Sequence, residues 1–183
     1  MWIKQFYNQA WCDMVHQTVE KYPDQPGDYE THINLDPTKA DLRKENYLMK
    51  AIPTKKEKLL ADYMKEVVTK ANSEMYGFNI WYDIDIIQYT TYDSNLNMEF
   101  PWHTDSVWYG LPVVQKLTVV IGLTDSKKYE GGELVLFGRK DFAIKLTAGQ
   151  AVVFPSIVWH KVNPVTSGKR NTLVSWYKGP RWM

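Results

Sequence analysis

Residues 101 to 106 read Pro-Trp-His-Thr-Asp-Ser and place His103 two positions before Asp105. On an extended segment, residues i and i+2 project to the same face, so an imidazole and a carboxylate converge there. His160 follows a strand-like run much later in the chain, and a rolled-up sheet could bring it opposite the first pair. Two imidazoles and one carboxylate on one face of a divalent metal would leave three coordination positions open to other molecules. Taken alone, His-x-Asp equally fits a turn histidine bonded to its neighbours, and His160 a strand-end histidine near the surface. Of the other two histidines, His16 lies in a helix and His32 in a polar loop, and neither has a second ligand-type residue at a useful spacing.

The surroundings of the trio carry more. An open site of this kind is the one used by non-haem Fe(II) oxygenases, which need an electron donor such as 2-oxoglutarate to split dioxygen. A cation must then hold the far carboxylate of that donor, and the planar fork of arginine suits the task. Arg170 lies ten residues after His160, beyond a turn rich in Thr, Ser and Gly, and opens the next strand. Thr172 shares its face and offers a hydroxyl donor. The alternative for Arg170 is a solvated turn residue beside Lys169.

In its motifs the segment from Ile87 to Pro180 resembles the prolyl-4-hydroxylase-like branch of the 2-oxoglutarate and Fe(II)-dependent oxygenases, especially the small bacterial and phage type. The matching pieces are Gln88-Tyr89-Thr90-Thr91-Tyr92, Trp102-His103-Thr104-Asp105-Ser106, Tyr129-Glu130-Gly131-Gly132-Glu133-Leu134, the run from Gly149 to Ser156, and the run from His160 to Arg170. The resemblance implies a double-stranded β-helix, jelly-roll or cupin-like, supported by two N-terminal helices. It implies Fe(II) held by His103, Asp105 and His160, and 2-oxoglutarate anchored by Arg170, with Thr172 and Thr118 beside it. It also implies a tyrosine donating to the same carboxylate; Tyr92 and Tyr89 both fit, and Tyr92 is preferred. Trp176 is expected to line the pocket and Trp108 to sit on its rim. The tryptophans Trp102 and Trp159, each preceding a ligand histidine, are expected to face away and pack behind the metal.

The implied reaction consumes 2-oxoglutarate and O2, releases succinate and CO2, and hydroxylates a C–H bond of a prolyl residue in a peptide or protein, or of a free amino acid. Ascorbate is the expected reductant. Two rivals are a nucleic-acid demethylase of the same superfamily and a barrel that has lost catalysis and only binds. In the demethylase branch a second arginine follows the first by six residues, where this chain has Trp176. Nucleic acid is therefore not the expected partner, and oligomeric state is left open.

The elements that must position these residues divide into two textures. In the N-terminal part, Asn8 can cap a helix with the apolar stripe Trp11, Val15, Val19 and Tyr22, ended by Pro23. Thr54 with Glu57 three residues later has the pattern of a capping box, followed by an apolar face through Leu59, Leu60, Tyr63, Met64, Val67, Val68 and Ala71. A short strand is expected around 47–51, after a polar loop. Beyond Gly77, short β-rich runs at 81–92, 117–123, 133–137, 143–146, 151–154, 158–162 and 172–177 alternate with turn signals, the pattern of a sandwich, jelly roll or small barrel. The expectation is one domain over 1–183, with 1–76 as helical support and 77–183 as the β-helix core.

Composition sets the outer bounds. The 183 residues carry 22 Lys plus Arg against 21 Asp plus Glu, a net charge of +1 that gives no global pull toward nucleic acid or an anionic membrane. One cysteine, Cys12, excludes an intrachain disulfide and paired-cysteine zinc sites. No secretory leader or membrane span is read, so a soluble cytoplasmic protein is expected. Gly131-Gly132 lacks the following Gly-Lys-Ser/Thr of a phosphate loop and reads as a turn with close backbone passage. No Gly-x-Ser-x-Gly motif is present, so hydrolase chemistry has no support. Eight tryptophans and twelve tyrosines exceed what a chain of this size ordinarily carries and need somewhere to pack or something to pack against.

Overall fold

In the computed structural model, residues 1–26, 47–96, 98–106 and 111–182 are described. His32 and Trp108 lie outside them. The N-terminal part contributes β1 (Trp2–Gln5), α1 (Gln9–Val19), β2 (Gln25–Pro26), β3 (Leu48–Pro53) and α2 (Lys58–Ala71). Then follow β4 (Ile86–Asp93), β5 (Phe100–His103), β6 (Val113–Gly122), β7 (Tyr129–Gly131) and β8 (Leu134–Leu136). The chain closes with β9 (Phe142–Ile144), β10 (Gln150–Pro155), β11 (His160–Val162) and β12 (Val165–Pro180).

The strands form two antiparallel sheets. The major sheet has the order β1-β10-β6-β12-β4-β3-β2, with β7 pairing to β12, and the minor sheet the order β5-β11-β8-β9. This is a double-stranded β-helix: strands adjacent in the sheets are distant in sequence, so residues from 90, 103, 160 and 170 can meet in one space. β12 is the long element, sixteen residues that pair in succession with β7, β4 and β6.

Two cores result from the alternation along the major sheet. On its outer face, α1 and α2 bury Val15, Val19, Met64, Val67 and Val68 against Ile87, Val119, Ile121, Leu173 and Tyr177. On its inner face, Tyr92, Val120, Val152 and Phe154 meet Leu134, Leu136 and Val162 of the minor sheet. Truncating one such fully buried side chain, Met64→Ala for example, costs about 2–5 kcal/mol. The Asn8 side chain accepts from Trp11 N at 3.0 Å and starts α1. After α2, a π-turn over Asn72–Tyr76 ends at Gly77, whose φ of 61° lets its N–H return to Asn72 O at 2.8 Å.

Several expectations are corrected. Thr54 does not cap α2: its hydroxyl donates to Ile84 O at 2.5 Å, fastening the approach to β4, and the helix begins later, with Glu57 at the cap position and no side-chain cap bond. Leu59 is 59% exposed, so the buried stripe begins at Leu60. The strand expected from Trp81 begins at Ile86. β1, β5 and β7 are short and were not expected as strands. β3 matches the strand expected around 47–51, whereas β1 and β2 add the two edges of the major sheet from the part expected to be chiefly helical, because an edge strand needs only a partner ladder and no strong period of its own.

Candidate metal centre and pocket

Antiparallel pairing of β11 with β5 sets His160 directly opposite His103, and the two rings lie 4.0 Å apart between centroids. Asp105 follows on a loop tied down by backbone bonds, since Asp105 N and Ser106 N both donate to Ser156 O, at 2.9 and 3.0 Å. His103 Nε2 stands 3.5 Å from Asp105 Oδ1, and His160 Nε2 3.5 Å from Asp105 Oδ2. The three candidate ligand atoms all lie within 4.8 Å of one another.

The protons on these rings are decided by their far nitrogens. His103 Nδ1 is 2.8 Å from Pro101 O and His160 Nδ1 is 2.9 Å from Val158 O. A carbonyl can only accept, so each Nδ1 carries the hydrogen and each Nε2 turns a lone pair toward the carboxylate. Burial, and next the proximity of His103, press His160 toward its neutral form against the pull of Asp105, to a pKa of about 4. Burial pushes the Asp105 carboxyl up, but His160, His103 and the Thr118 hydroxyl outweigh it and hold the group well below the usual carboxylate range. Two lone pairs and a carboxylate thus face one another with no donor between them. A divalent cation is what such a donor set fits, and nitrogen and oxygen ligands of this kind suit Fe(II).

Asp105 is braced from behind. Thr118 Oγ donates to Asp105 Oδ2 at 2.6 Å and lies 2.9 Å from Ser156 Oγ. Thr118, expected to contact a bound carboxylate, lines the pocket but has its hydroxyl committed to Asp105. Ser156 is not legible as part of the site from sequence, because its partner Thr118 is thirty-eight positions away. Phe100 and Phe154 pack edge-on against His103 and His160, at 4.1 and 4.8 Å between centroids, and fix the ring planes.

The same pocket extends to β12 and β4, where Thr90, Tyr92, Arg170, Thr172 and Trp176 line it. Arg170 is 2% exposed, and its Nε and Nη2 have no hydrogen-bond partner among the described residues. Its guanidinium lies 5.2 Å from the centroid of the Tyr92 ring, and burial raises the Tyr92 hydroxyl well above its ordinary pKa although Arg170 opposes the shift. A buried, unsatisfied guanidinium is costly and calls for an anion. Gly132 makes room for it: at φ 66° a Cβ there would come within 3.0 Å of Arg170 Cδ and 2.9 Å of Val165 Cγ2.

Tyr89, the other tyrosine expected at the carboxylate, lies elsewhere. It is three positions from Tyr92, an odd step along a strand, and therefore faces the helices. Its hydroxyl is 3.0 Å from His16 Nδ1, and burial pushes it up to about 12. Trp102 and Trp159 do face away from the ligand histidines, yet they are not packed behind the site; Trp159 is 53% exposed. Cys12 is fully buried and lies 3.9 Å from Gly122 O; burial raises its thiol to about 11, a packing residue rather than a nucleophile.

Comparison with known proteins gives a consistent result. The family model of the 2OG-Fe(II) oxygenase superfamily matches residues 87–178, just over half of the chain. A PKHD-type hydroxylase of Colwellia psychrerythraea is 44% identical over 61 residues, 33% of this chain and 27% of its own length. A PKHD-type hydroxylase of Shewanella frigidimarina is 36% identical over 90 residues, 45% of this chain and 39% of its own. The chain thus spans well under half the length of these curated relatives. Among solved structures, the viral collagen prolyl hydroxylase of Paramecium Bursaria Chlorella virus-1 superposes with a TM-score of 0.71 at 14% identity, covering 98% of this chain and 97% of that one. A Pseudomonas putida prolyl-4-hydroxylase gives 0.67 at 16%, covering 100% and 92%. At such identities the structural likeness is one of fold.

Proposed function

The chain belongs to the 2OG-Fe(II) oxygenase superfamily, and from that premise we propose that it hydroxylates a prolyl residue in a peptide or protein, or a free amino acid. The observation that carries the reading is the pocket's paired deficit: three acceptors lacking a cation at one end, and the buried Arg170 lacking an anion at the other.

His103, Asp105 and His160 would hold Fe(II), and Arg170, with Tyr92 and Thr172 beside it, would hold the far carboxylate of 2-oxoglutarate. The bound metal, with 2-oxoglutarate and O2, supplies the oxidant that places a hydroxyl on the substrate carbon, with succinate and CO2 as coproducts. The chain's own residues do the rest. The Nδ1–H bonds to Pro101 O and Val158 O keep both imidazoles in the ligating tautomer. Thr118 donates to Asp105 Oδ2 and holds the carboxylate in its orientation toward the two imidazoles. Arg170, with Nε and Nη2 unbonded, would orient the cosubstrate through its carboxylate, and the apolar walls would keep water from the reacting carbon. The aromatic side chains Tyr47, Phe100 and Trp176 offer faces on which a pyrrolidine ring can lie. Prolyl chemistry is also in the names of the solved structures it superposes on. Trp176 stands where the demethylase branch carries a second arginine, which argues against nucleic acid.

The test is direct. Incubate the protein anaerobically with Fe(II) and 2-oxoglutarate, record the visible charge-transfer band, admit oxygen with ascorbate present, and measure succinate. A peptide library read by mass gain of one oxygen then addresses the substrate. No band and no succinate above a His103→Ala control would remove the reading. Turnover stimulated only by methylated nucleic acid would replace the substrate class.

A further inference from the structure

Two buried threonines face each other on the wall of the pocket. β12 pairs with β4 so that Arg170 stands opposite Tyr92, Thr172 opposite Thr90 and Val174 opposite Gln88. Strand alternation turns these six side chains inward, and all six line the pocket. The wall thus runs from a guanidinium, past a pair of hydroxyls, to an amide. Thr90 is 2% exposed and Thr172 1%. Valine fills the neighbouring inward positions 120 and 174, and at position 90 it would take the same space without the cost of burying a hydroxyl.

The direction of the Thr90 hydroxyl is set from one side. Gln88 Nε2 donates to Thr90 Oγ1 at 3.1 Å. A hydroxyl carries one hydrogen and two lone pairs, so this bond takes a lone pair and the hydrogen needs an acceptor elsewhere. No group among the described residues accepts it. What lies in front of it is the pocket, and the far carboxylate of 2-oxoglutarate, held at Arg170 one pair along the ladder, would be an acceptor of the right charge. Without Gln88 the hydroxyl could rotate freely and turn its lone pairs to the same anion. We infer that Thr90 donates to that carboxylate and that Gln88 is the positioning residue that aims it. The inference rests on the proposed 2-oxoglutarate site and adds two residues to it.

The test reads binding, not turnover. Load the full chain anaerobically with Mn(II) and titrate 2-oxoglutarate by calorimetry. Thr90→Val keeps the shape, deletes the hydroxyl and should weaken binding by about three- to tenfold, whereas Thr90→Ser should stay within about twofold of native. Gln88→Met should weaken it by about two- to fivefold. Gln88→Glu can only accept, so it draws the Thr90 hydrogen out of the pocket and should cost at least as much as Thr90→Val. Because Gln88 acts through Thr90, Gln88→Met should add less than about twofold in the Thr90→Val background. Affinity for Mn(II) alone should be unchanged throughout. Native 2-oxoglutarate affinity in Thr90→Val or in Gln88→Glu, or additive losses in the double variant, would each overturn the inference. So would variants that unfold at lower urea yet bind as the native chain does, the signature of a merely structural contact. No saturable binding of 2-oxoglutarate to the native chain would remove the functional reading itself, and the inference with it.

Discussion

The two ends of the pocket are built on opposite deficits. At the minor-sheet end, His103, Asp105 and His160 are held by partners on their far sides and present only acceptors to one another. At the β12 end, Arg170 presents a buried cation with two nitrogens unbonded. Each end is unfavourable alone, and a metal bound together with a dianion, as proposed, would answer both. The first end is positioned by hydrogen bonds to its ligands, the second by steric room that Gly132 leaves. Loss of a residue should therefore have different signatures at the two ends.

The largest effect is expected at the metal end. His103→Ala and Asp105→Asn should abolish succinate formation, with activity down at least about 10³-fold. They should also remove the rise in unfolding temperature that Fe(II), or Mn(II) as a stable substitute, gives the native chain, worth about 2.7 kcal/mol at a hundredfold excess over Kd. Thermal melts with and without metal check this apart from turnover. A metal-dependent shift that survives in both variants would move the centre elsewhere.

The Arg170 end should behave in the reverse sense. Arg170→Met keeps the aliphatic path past Gly132 and removes the unpaired charge. The apo protein should be no less stable than the native chain, and more stable by about 1–4 kcal/mol if the side chain packs well. Affinity for 2-oxoglutarate should fall by about 10²–10³-fold, as when one partner of a buried pair is lost. Metal affinity in the absence of 2-oxoglutarate should be unchanged. Chemical denaturation and calorimetric titration separate the three readouts. A destabilised apo protein with intact 2-oxoglutarate binding would mean that Arg170 serves the fold.

A smaller effect tests the brace on Asp105. Thr118→Val keeps the volume but deletes the donor at 2.6 Å, and metal affinity should drop by about 10–100-fold, as for other partners behind a ligand. Ser156→Ala, one bond further back, should cost less than Thr118→Val. Metal titration followed by the charge-transfer band orders the two. If Ser156→Ala proved the more damaging, the backbone contacts of Asp105 and Ser106 to Ser156 would be the real support.

How far the sequence discloses this depends on whether a feature is local. His103 and Asp105 are two apart on an extended segment, and Arg170 and Thr172 two apart on another, so each pair's shared face follows from strand geometry alone. The order of motifs from Ile87 to Arg170 supplies the fold class through resemblance. What stays hidden is set by distant partners. Thr54 looks like a cap until Ile84 and Asp85 compete for its hydroxyl. Ser156 is silent until β10 brings it to Thr118, and Trp159 reads as core because sequence does not reveal that it stands 53% exposed on the minor sheet's outer face among the described residues. β1 and β7 gain their strand character from β10 and β12 and carry little of it themselves.

The smallest effect resolves the two tyrosines, both of which fit the sequence pattern, Tyr92 being preferred, and which strand alternation separates. Tyr92 lines the pocket with its ring against the Arg170 guanidinium, whereas Tyr89 reaches through the other face to His16. Tyr92→Phe removes one hydroxyl donor from the region where the far carboxylate of 2-oxoglutarate would lie. Binding should weaken by about three- to tenfold, the range of a single hydrogen bond of about 0.5–1.5 kcal/mol. Tyr89→Phe should leave 2-oxoglutarate affinity within about twofold and lower stability by about 1 kcal/mol, because it deletes the partner of a half-buried imidazole. Competition with a non-reactive 2-oxoglutarate analogue measures the first effect, and urea unfolding the second. The pattern is a double dissociation: one hydroxyl moves affinity, the other moves the fold. If both variants weakened binding alike, the cosubstrate would be sensing the backbone of β4 and not the Tyr92 hydroxyl, and the anchor would rest on Arg170 and Thr172 without it.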